Sequence, residues 1–426
     1  MHAVIFPGHI SGSLAAPPSK SMTQRAFAAA LLHKGITTVY NAGNSADELA
    51  SLSIIQELGA KVIEQTNDKI VIKSNGINPI SDTIYCGESG LAARLFTPIA
   101  STSDRQITIT GTGSLLSRPM PAFKDVFTQL GVSVSNFSGC LPITVGGPMK
   151  SVSISVDAGA GSQFLSGLLF ALSFNAISPV IITVERLSSK PYIDMTLEVL
   201  KQFGKTITHD NYTTFIIDPN SFIDVGPVTI YVEGDWSSAA NLLVAGAIAG
   251  EITVSNLNTL STQADRAIMD ILANAGAMIN VDKDMVSVSC GQLAGFDFDA
   301  THSPDLFPVL SILAACCNGD SKIAGVHRLF HKESNRAESI AEMLENFNVP
   351  YSFEEDVLCI EGRRKLQGTI IDSYNDHRIV MAGTLGGLVA NGQVDISRAD
   401  AVNKSYPQFF NHLSLCGVRV VINDQE

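Results

Sequence analysis

Cationic and hydroxyl side chains are concentrated directly after two consecutive prolines near the start of the chain. Ser19, Lys20 and Ser21 come first, and Arg25 follows four residues after Ser21. The alanine- and leucine-rich run behind them predicts a helix that ends near Gly35. Free N–H groups at a helix N-terminus attract anions, and Arg25 would share a face with Ser21. The cluster suits a phosphate or a carboxylate, although a capped surface helix with solvated charges fits this segment equally well.

A second charged cluster is expected late in the chain. Arg328, Lys332, Glu333 and Arg336 lie just before or within the first turn of a predicted helix over 337–347. A carboxylate flanked by cations can stay ionised or carry a proton. Asp305 precedes an apolar helix, where an acidic residue is also an ordinary helix-starting residue.

A metal site has weaker support in the same region. His327 and His331 are four residues apart and could share a helix face. Because no third ligand or H-E-x-x-H pattern accompanies them, we expect no metal.

Polar segments precede several other predicted helices. They are Cys86-Gly87-Glu88-Ser89-Gly90, Ser117-Arg118-Pro119, Gly159-Ala160-Gly161-Ser162-Gln163, Ser189-Lys190-Pro191-Tyr192, Gly234-Asp235-Trp236, Tyr374-Asn375-Asp376-His377-Arg378 and Lys404-Ser405-Tyr406-Pro407. Each segment alone fits a plain turn or an N-cap, and we interpret 234–236 mainly as a hinge and cap. The recurrence of Lys, Arg, Ser and Gly at helix starts favours anion binding.

Composition restricts the class of protein. The 426 residues are 45% hydrophobic and 16% charged, with a formal net charge of −13. This composition indicates a globular protein and argues against a nucleic-acid partner. Apolar runs such as 242–248 are too short to span a bilayer, and the first residues lack the features of a signal peptide. The seven cysteines show no C-x-x-C pattern, so we expect reduced thiols in a cytoplasmic protein.

An internal repeat organises the predicted elements. Helix-ending signals recur at positions 59, 131, 204, 276, 348 and 417, of which five are Gly and one is Asn. Helix starts recur near positions 20, 90, 162, 236, 305 and 378. Six α/β units exceed one hydrophobic core, so we predict three units in each of two domains. The expected division is 16–228 as an inserted domain and 1–15 with 229–426 as a discontinuous one, with the active site in the cleft between them.

In this order, and over nearly the whole chain, the motifs closely resemble those of the EPSP synthase family of enolpyruvyl transferases. The most specific are Ser19-Lys20-Ser21 with Arg25, Ser162-Gln163-Phe164, Ser189-Lys190-Pro191-Tyr192, Lys332-Glu333-Ser334-Asn335-Arg336, Asp376-His377-Arg378 and Lys404-Ser405-Tyr406-Pro407. The resemblance implies a two-domain inside-out α/β barrel. It would have six βαβαββ repeats, three per domain, and the domains would close on the substrates.

The resemblance also implies an activity in the shikimate pathway, which leads to chorismate and the aromatic amino acids. Members of the family transfer the enolpyruvyl group of phosphoenolpyruvate to the 5-hydroxyl of shikimate 3-phosphate and release phosphate. The reaction proceeds by addition and elimination through a tetrahedral intermediate, without a metal or an organic cofactor. The expected partners are these two small molecules, and we expect a monomer.

The family pattern assigns roles to individual positions. The residues expected to bind shikimate 3-phosphate are Lys20, Ser21, Arg25, Ser162, Gln163, Ser189, Tyr192, Asp305, Arg328 and Lys332. Those expected to bind phosphoenolpyruvate are Lys20, Gly90, Arg118, Gln163, Arg336, Arg378 and Lys404. Asp305 is the expected base for the 5-hydroxyl, and Glu333 with Lys20 would carry the proton at the phosphoenolpyruvate methylene.

Five positions depart from the family pattern. Gly161 replaces a serine, and Glu88 and Leu91 stand where Asn and Thr are more common. Asn335 replaces a common Asp, and Trp236 a small residue. A carboxylate at position 88, near the expected phosphate, is unfavourable unless it turns away or pairs with a cation.

Two other functions are considered. The related transferase that acts on UDP-N-acetylglucosamine relies on a reactive loop cysteine, and Cys140 lacks the neighbouring basic residues that would activate it. A catalytically silent phosphate-binding homologue is a second alternative. Carboxylates at positions 305 and 333 argue against it, because anion binding alone does not need them.

Overall fold

The structure is a computed structural model that describes residues 1–362 and 365–423. The chain forms two compact units. Met1–Pro17 with Gly234–Glu426 is here called the discontinuous unit, and Pro18–Glu233 the inserted unit. These boundaries lie two and five residues after the expected ones, at 15 and 228. The later boundary follows from strand Val228–Tyr231, which pairs with Gly35–Tyr40 of the inserted unit.

Each unit has six α-helices among the described residues. Those of the inserted unit are α1 Lys20–Leu32, α2 Ala46–Glu57, α3 Gly90–Ala100, α4 Phe123–Gln129, α5 Gln163–Asn175 and α6 Pro191–Gln202. Those of the discontinuous unit are α7 Trp236–Ala249, α8 Ile268–Asn274, α9 Phe307–Cys316, α10 Arg336–Asn346, α11 His377–Val389 and α12 Phe409–Leu415. The expected helix starts agree with α1, α3, α5, α7, α9 and α11 within about two residues.

The described residues contain twenty-four strands. The first twelve are β1 His2–Ile5, β2 Ile10–Ala15, β3 Gly35–Tyr40, β4 Lys61–Gln65, β5 Lys69–Ser74, β6 Thr83–Tyr85, β7 Gln106–Thr110, β8 Ser133–Ser135, β9 Ile143–Gly146, β10 Ile154–Asp157, β11 Val180–Glu185 and β12 Thr208–Asp210. The others are β13 Thr214–Ile217, β14 Val228–Tyr231, β15 Gly250–Ser255, β16 Met278–Val281, β17 Val286–Ser289, β18 Asp297–Asp299, β19 Asp320–Ala324, β20 Tyr351–Glu354, β21 Val357–Glu361, β22 Ile370–Asp372, β23 Val394–Ser397 and β24 Val420–Asn423.

The strands form six four-stranded sheets with one common plan. In the inserted unit the strand orders are β14-β3-β5-β4, β6-β7-β9-β8 and β10-β11-β13-β12. In the discontinuous unit they are β2-β15-β17-β16, β18-β19-β21-β20 and β22-β23-β1-β24. The first two strands of every sheet are parallel, and the remaining pairs are antiparallel. This is the predicted βαβαββ repeat, because a parallel pair needs a helical crossover whereas an antiparallel pair can be a hairpin.

Three strands are exchanged between distant parts of the chain. β2 precedes α1 in sequence but pairs with β15 of the discontinuous unit, Ile10 lying opposite Gly250. β14 precedes α7 but pairs with β3 of the inserted unit, Val228 lying opposite Thr37. β1 completes the sheet of the last repeat between β23 and β24. The N-terminal segment therefore supplies two strands, β1 and β2, to the discontinuous unit.

The cap signals that define the repeat have the expected geometry. The φ angles are +110° at Gly59, +68° at Gly131, +73° at Gly204, +89° at Gly276, +59° at Asn348 and +88° at Gly417. Gly and Asn tolerate this left-handed conformation best, which explains why these residue types mark the helix ends. Each cap is followed by the outer hairpin strand of its repeat.

The core of each unit consists of helices enclosed by the inner faces of sheets. α1, α3 and α5 contact one another in the inserted unit, and α7, α9 and α11 do so in the discontinuous unit. Helices that are apolar on all sides belong in a protein interior. Strands such as β11 alternate buried and exposed residues, so one face packs on the helices.

Candidate active site

The first cluster lies at the start of α1, as expected. Ser19 is the N-cap, and its hydroxyl accepts a hydrogen bond from the Met22 N–H at 3.4 Å. Lys20 is the first helical residue. The helix ends at Leu32, whereas Gly35 begins β3. The helix thus ends near Gly35, as expected, but Gly35 itself is not a left-handed helix cap.

Arg25 is a buried cation with neutral partners. Only 1% of the residue is exposed. Its Nε donates to Thr196 Oγ1 at 2.9 Å, and its Nη1 to the Ser21 carbonyl at 2.9 Å. Its Nη2 donates to the Tyr192 carbonyl at 3.2 Å and to Ser166 Oγ at 3.4 Å. Burial lowers the pKa of Arg25 to about 10, and the interaction with Tyr192 opposes this shift.

Lys20 is paired with a residue to which the sequence analysis assigned no role. Its Nζ lies 2.9 Å from Oδ2 of Asp47, in the first turn of α2. Both side chains are largely buried, with exposed fractions of 16% and 10%. Asp47 sits in a stretch of core-type spacing, so no local signal distinguished it. The ion pair fixes the ammonium group beside the N-terminus of α1.

A second cluster of the inserted unit surrounds Gly90, the first residue of α3. Arg94 Nη1 donates to the Gly90 carbonyl at 3.2 Å and to Gln163 Oε1 at 3.4 Å. Arg118 Nη2 donates to Ser114 Oγ at 3.0 Å. A Cβ atom added at Gly90 would lie 2.9 Å from both Arg118 Nη1 and Arg94 Nη1. The expected ligands Gly90, Arg118 and Gln163 are therefore brought together, and Arg94 joins them although it was not singled out from the sequence.

The remaining expected ligands of the inserted unit lie around α5 and α6. Ser162 precedes α5 and is 2% exposed, but its side chain makes no capping hydrogen bond. Ser189 adopts the left-handed conformation, with φ +58°. The ring of Tyr192 lies 6.0 Å from the guanidinium carbon of Arg25. Ser162 therefore does not act as a simple side-chain N-cap.

The centre of the discontinuous unit's cluster is Arg336, which is 1% exposed. Its Nη1 lies 2.7 Å from Asp305 Oδ1, and its Nη2 lies 2.6 Å from Glu333 Oε2. Its Nε lies 2.8 Å from Oδ2 of Asp376, which is fully buried. Burial disfavours the charged guanidinium, but Asp376, Glu333 and Asp305 outweigh it and raise the pKa of Arg336 well above its ordinary value. One cation therefore ties together both expected acid–base carboxylates.

Asp305 is also bound by a second arginine. Its Oδ2 lies 2.9 Å from Arg378 Nη2, and Lys332 Nζ lies 3.8 Å from its Oδ1. Burial opposes ionisation of Asp305, yet Arg378, Lys332 and Arg336 together hold its pKa well below the ordinary value. The carboxylate is consequently charged at neutral pH.

Lys332 and Arg328 are cations in partly desolvated positions. Burial lowers the pKa of Lys332 to about 8, and the charge of Asp305 opposes this shift. The same two effects act on Arg328, whose pKa is also lowered. Lys404 donates to the Asn375 carbonyl at 2.6 Å and is 9% exposed. All three belong to the discontinuous unit.

Asp376 and Asp265 are carboxylates that the sequence analysis did not select as site residues. Asp376 caps α11, accepts from the Arg378 N–H at 2.9 Å, and also binds Ser334 Oγ at 3.1 Å. Asp265 is 1% exposed and accepts from Ser237 Oγ at 2.5 Å. Burial and the charge of Asp305 raise the pKa of Asp265 to about 7. The sequence signal for Asp376 is its place directly before the His377-Arg378 helix start.

Comparison with known proteins identifies the family. The family model described as EPSP synthase (3-phosphoshikimate 1-carboxyvinyltransferase) matches residues 5–413. The chain belongs to the EPSP synthase family. A relative from Clostridium novyi (strain NT), named 3-phosphoshikimate 1-carboxyvinyltransferase, is 35% identical over 423 residues and covers 97% of each chain. A relative of the same name from Methanocorpusculum labreanum is 35% identical over 422 residues, covering 98% of this chain and 99% of the relative.

Solved structures share the fold of this EPSP synthase family member. An EPSP synthase from Acinetobacter baumannii superimposes with a TM-score of 0.83 at 25% identity, covering 99% of this chain and 100% of that one. The enolpyruvyl transferase NikO from Streptomyces tendae has a TM-score of 0.77 at 16% identity, covering 99% and 98%. At that identity the second likeness concerns the fold alone.

The departures from the EPSP synthase family pattern have structural explanations at three positions. Gly161 has φ +145°, a conformation that a serine would adopt only with strain. The Glu88 carboxyl group lies against Gly113, where an added Cβ would approach its Cδ within 2.6 Å. Trp236 is fully buried in the core, and its Nε1 donates to the Asn258 carbonyl at 3.0 Å. Asp235 caps α7, as the interpretation of this segment predicted.

Leu91 and Asn335 complete the set of departures. Leu91 is 7% exposed and contributes to the core of the inserted unit. Asn335 is the residue before α10, and its side chain makes no capping hydrogen bond. The structure offers no reason for Asn rather than Asp at position 335.

Metal ligands, cysteine thiols and helix hydrophobicity are three further features of the described residues. Residues 1–362 and 365–423 contain no group of three or more His, Cys, Asp or Glu side chains arranged to hold a metal ion. All seven cysteines are free thiols, and Cys140 Sγ lies 3.5 Å from the Ser117 carbonyl. Within the described chain, every helix is too short or too polar to cross a bilayer.

Pro119 predicted a helix directly after Arg118, and this prediction is wrong. A short 3-10 helix over Gly113–Ser117 comes before it, and α4 begins only at Phe123. The Met120 N–H donates to the Gly139 carbonyl at 2.8 Å, so the segment turns toward that loop. Arg118 therefore approaches Gly90 from a loop.

Proposed function

We propose that this protein transfers the enolpyruvyl group of phosphoenolpyruvate to the 5-hydroxyl of shikimate 3-phosphate and releases inorganic phosphate. The observation that carries the proposal is the network on Arg336, which joins two carboxylates suited to proton transfer with a guanidinium suited to a substrate carboxylate. Membership of the EPSP synthase family over residues 5–413 supports the same reaction.

Shikimate 3-phosphate is assigned to hydroxyl and cationic side chains of both units. The proposed ligands are Lys20, Ser21, Arg25, Ser162, Gln163, Ser189, Tyr192, Asp305, Arg328 and Lys332. The buried Arg25, whose partners are neutral, supports a role toward the phosphate, because a buried cation is favoured by a counter-charge. Burial lowers the pKa of Lys332 although Asp305 lies nearby, so a further anion at this position would favour its charged form.

Phosphoenolpyruvate is assigned to Lys20, Gly90, Arg118, Gln163, Arg336, Arg378 and Lys404. Gly90 leaves room for the neighbouring Arg118 guanidinium, and the helix N-terminus beneath it suits a phosphate. Arg336 and Arg378 both hold the carboxylate of Asp305, which supports a role for them in binding a carboxylate. We assign the substrate carboxylate to this pair.

The proposed chemistry is an addition followed by an elimination. Asp305 accepts the proton of the 5-hydroxyl, whose oxygen forms a bond to C2 of phosphoenolpyruvate. Glu333 or Lys20 delivers a proton to C3, which gives a tetrahedral intermediate. The same group then takes a proton back from the new methyl group, and phosphate departs with the proton that Asp305 accepted, which restores the double bond and the starting protonation states. Because the proposed ligands of each substrate come from both units, we infer that turnover needs the full chain.

The protein is further proposed to act as a cytoplasmic monomer. All the proposed ligands are residues of a single chain, which supports this proposal. Free thiols at all seven cysteines agree with a reducing compartment. Sedimentation equilibrium at assay concentration tests the monomer, and a dimer mass would contradict it.

Inorganic phosphate release tests the function. The assay combines enzyme, shikimate 3-phosphate and phosphoenolpyruvate, and omits each substrate in turn. We expect release only with both substrates, and a collapse of release in Asp305→Ala and Glu333→Ala. Asp356→Asn, which removes a half-exposed carboxylate paired with His327, is the matched control and should keep full activity.

The same assay separates the alternatives. Release with UDP-N-acetylglucosamine in place of shikimate 3-phosphate would identify the related transferase. Calorimetric binding of shikimate 3-phosphate without any phosphate release would identify a silent binding protein. Either result would refute the proposed function.

A further inference from the structure

The guanidinium of Arg336 has two edges with different surroundings. Its Nε edge faces Asp376, with Oδ2 2.8 Å from Nε and Oδ1 3.4 Å from Nη2. Its other edge, formed by Nη1 and Nη2, faces Asp305 at 2.7 Å and Glu333 at 2.6 Å. Both edges therefore have carboxylate partners.

The carboxylates on the two edges differ in how readily they can leave. Asp376 is fully buried and held by the N–H of Arg378 and the hydroxyl of Ser334. Asp305 and Glu333 keep 25% and 16% of their side chains exposed. Only the Nη1–Nη2 edge can therefore exchange its partners for a ligand at a modest desolvation cost.

The Nη1–Nη2 edge has the geometry that binds a ligand carboxylate through two oxygens. Arg378 extends the same arrangement, because its Nη2 holds the second oxygen of Asp305 at 2.9 Å. A ligand carboxylate placed between the two arginines would occupy the position that Asp305 holds in this structure.

We propose that Asp305 and Glu333 act as internal substitutes for the carboxylate of phosphoenolpyruvate, and that phosphoenolpyruvate releases both by displacing them from Arg336. This inference rests on the function proposed above. It adds that the acid–base groups become available only after phosphoenolpyruvate has entered.

The displacement has a chemical consequence for proton transfer. In this structure each carboxylate oxygen of Asp305 is bound by an arginine. The Asp305 carboxylate therefore accepts a proton poorly. Loss of those contacts to a competing anion would raise the pKa of Asp305 from its lowered value. The base would thus become stronger only in the presence of the enolpyruvyl donor.

Direct binding of phosphoenolpyruvate without shikimate 3-phosphate tests the inference. Calorimetry compares the wild type with Asp305→Ala, Asp305→Asn and Glu333→Gln. Removal of the competing carboxylate should tighten binding by about tenfold in the Asp305 variants and by less in Glu333→Gln, while turnover is lost. A merely structural role of Asp305 would leave binding unchanged or weaken it.

Asp356→Asn is the control, because it removes the same charge from the discontinuous unit away from Arg336. Its affinity for phosphoenolpyruvate should equal that of the wild type. Equal or weaker binding in both Asp305 variants, or absence of measurable binding in all proteins, would overturn the inference. Thermal melting of each variant identifies a folding defect. If one Asp305 variant is misfolded, the affinity of the other Asp305 variant decides.

Phosphate release by the wild type keeps the two conclusions apart. If the wild type releases phosphate but the Asp305 variants gain no affinity, only the displacement is refuted. If the wild type releases no phosphate with both substrates, the proposed function fails regardless of the binding result.

Discussion

Arg25 Nε donates a hydrogen bond to Thr196 Oγ1 at 2.9 Å, which anchors α1 to α6 through a buried cation. Its other partners are carbonyls and one hydroxyl. In the described chain no carboxylate pairs with Arg25. A buried charge without a counter-ion is costly, and this cost supports the proposal that Arg25 binds an anionic ligand.

Arg25→Ala is expected to weaken binding of shikimate 3-phosphate by about 100-fold, since charge-assisted hydrogen bonds to the ligand are lost. Arg25→Lys should recover little, because an ammonium group cannot reproduce the fork. Calorimetric titration measures both. Arg186→Lys, at an exposed ion pair with Asp157, is the control. Unchanged affinity in Arg25→Ala would remove this residue from the site.

Gly90→Ala is expected to raise KM for phosphoenolpyruvate by about tenfold and to change KM for shikimate 3-phosphate less. The new Cβ would lie 2.9 Å from the guanidinium nitrogens of Arg118 and Arg94, which must move. Steady-state kinetics with each substrate varied checks this. Gly383→Ala, where the added Cβ meets atoms only at 3.5 Å or more, should behave as the wild type. Equal increases in KM for the two substrates would argue against a local effect of the new Cβ on Arg118 and Arg94.

The pKa of Lys332, lowered to about 8 by burial, predicts a pH limit for binding shikimate 3-phosphate. The protonated amine binds the anion, so kcat/KM for this substrate should fall as the pH rises above about 8 and Lys332 loses its charge. Lys332→Arg keeps its charge over this pH range and should abolish the fall in kcat/KM above about pH 8, whatever its kcat. A limb that persists near the same pH in Lys332→Arg would assign it to another group.

Asp376→Asn is expected to lower the free energy of unfolding by about 1–3 kcal/mol, because Arg336 loses the fully buried one of its three carboxylate partners. KM for phosphoenolpyruvate should rise as well, since the Nε edge no longer orients the guanidinium. Urea unfolding and steady-state kinetics measure the two effects. Asp372→Asn, at a half-exposed pair with Arg398, provides the comparison and should cost less. Wild-type KM in Asp376→Asn would show that Arg336 needs no such support.

Much of the fold could be predicted because its signals are local. Gly or Asn at six regularly spaced positions marks helix ends, and all six adopt positive φ angles. The starts of α1, α3 and α7 follow from residues immediately before them. The exchange of β2 and β14 was not predicted in detail, since strand partners lie more than 190 residues apart in the chain.

The candidate site divides in the same way. The sequence by itself determined which residue types stand at the helix starts, including Lys20, Glu333 and Arg336, because capping and motif spacing involve only neighbouring residues. The tertiary structure alone decided which charges meet. Asp47 reaches Lys20 across 27 positions, and Asp376 reaches Arg336 across 40. Such contacts depend on how whole helices pack, and neither residue carries a local mark of its partner.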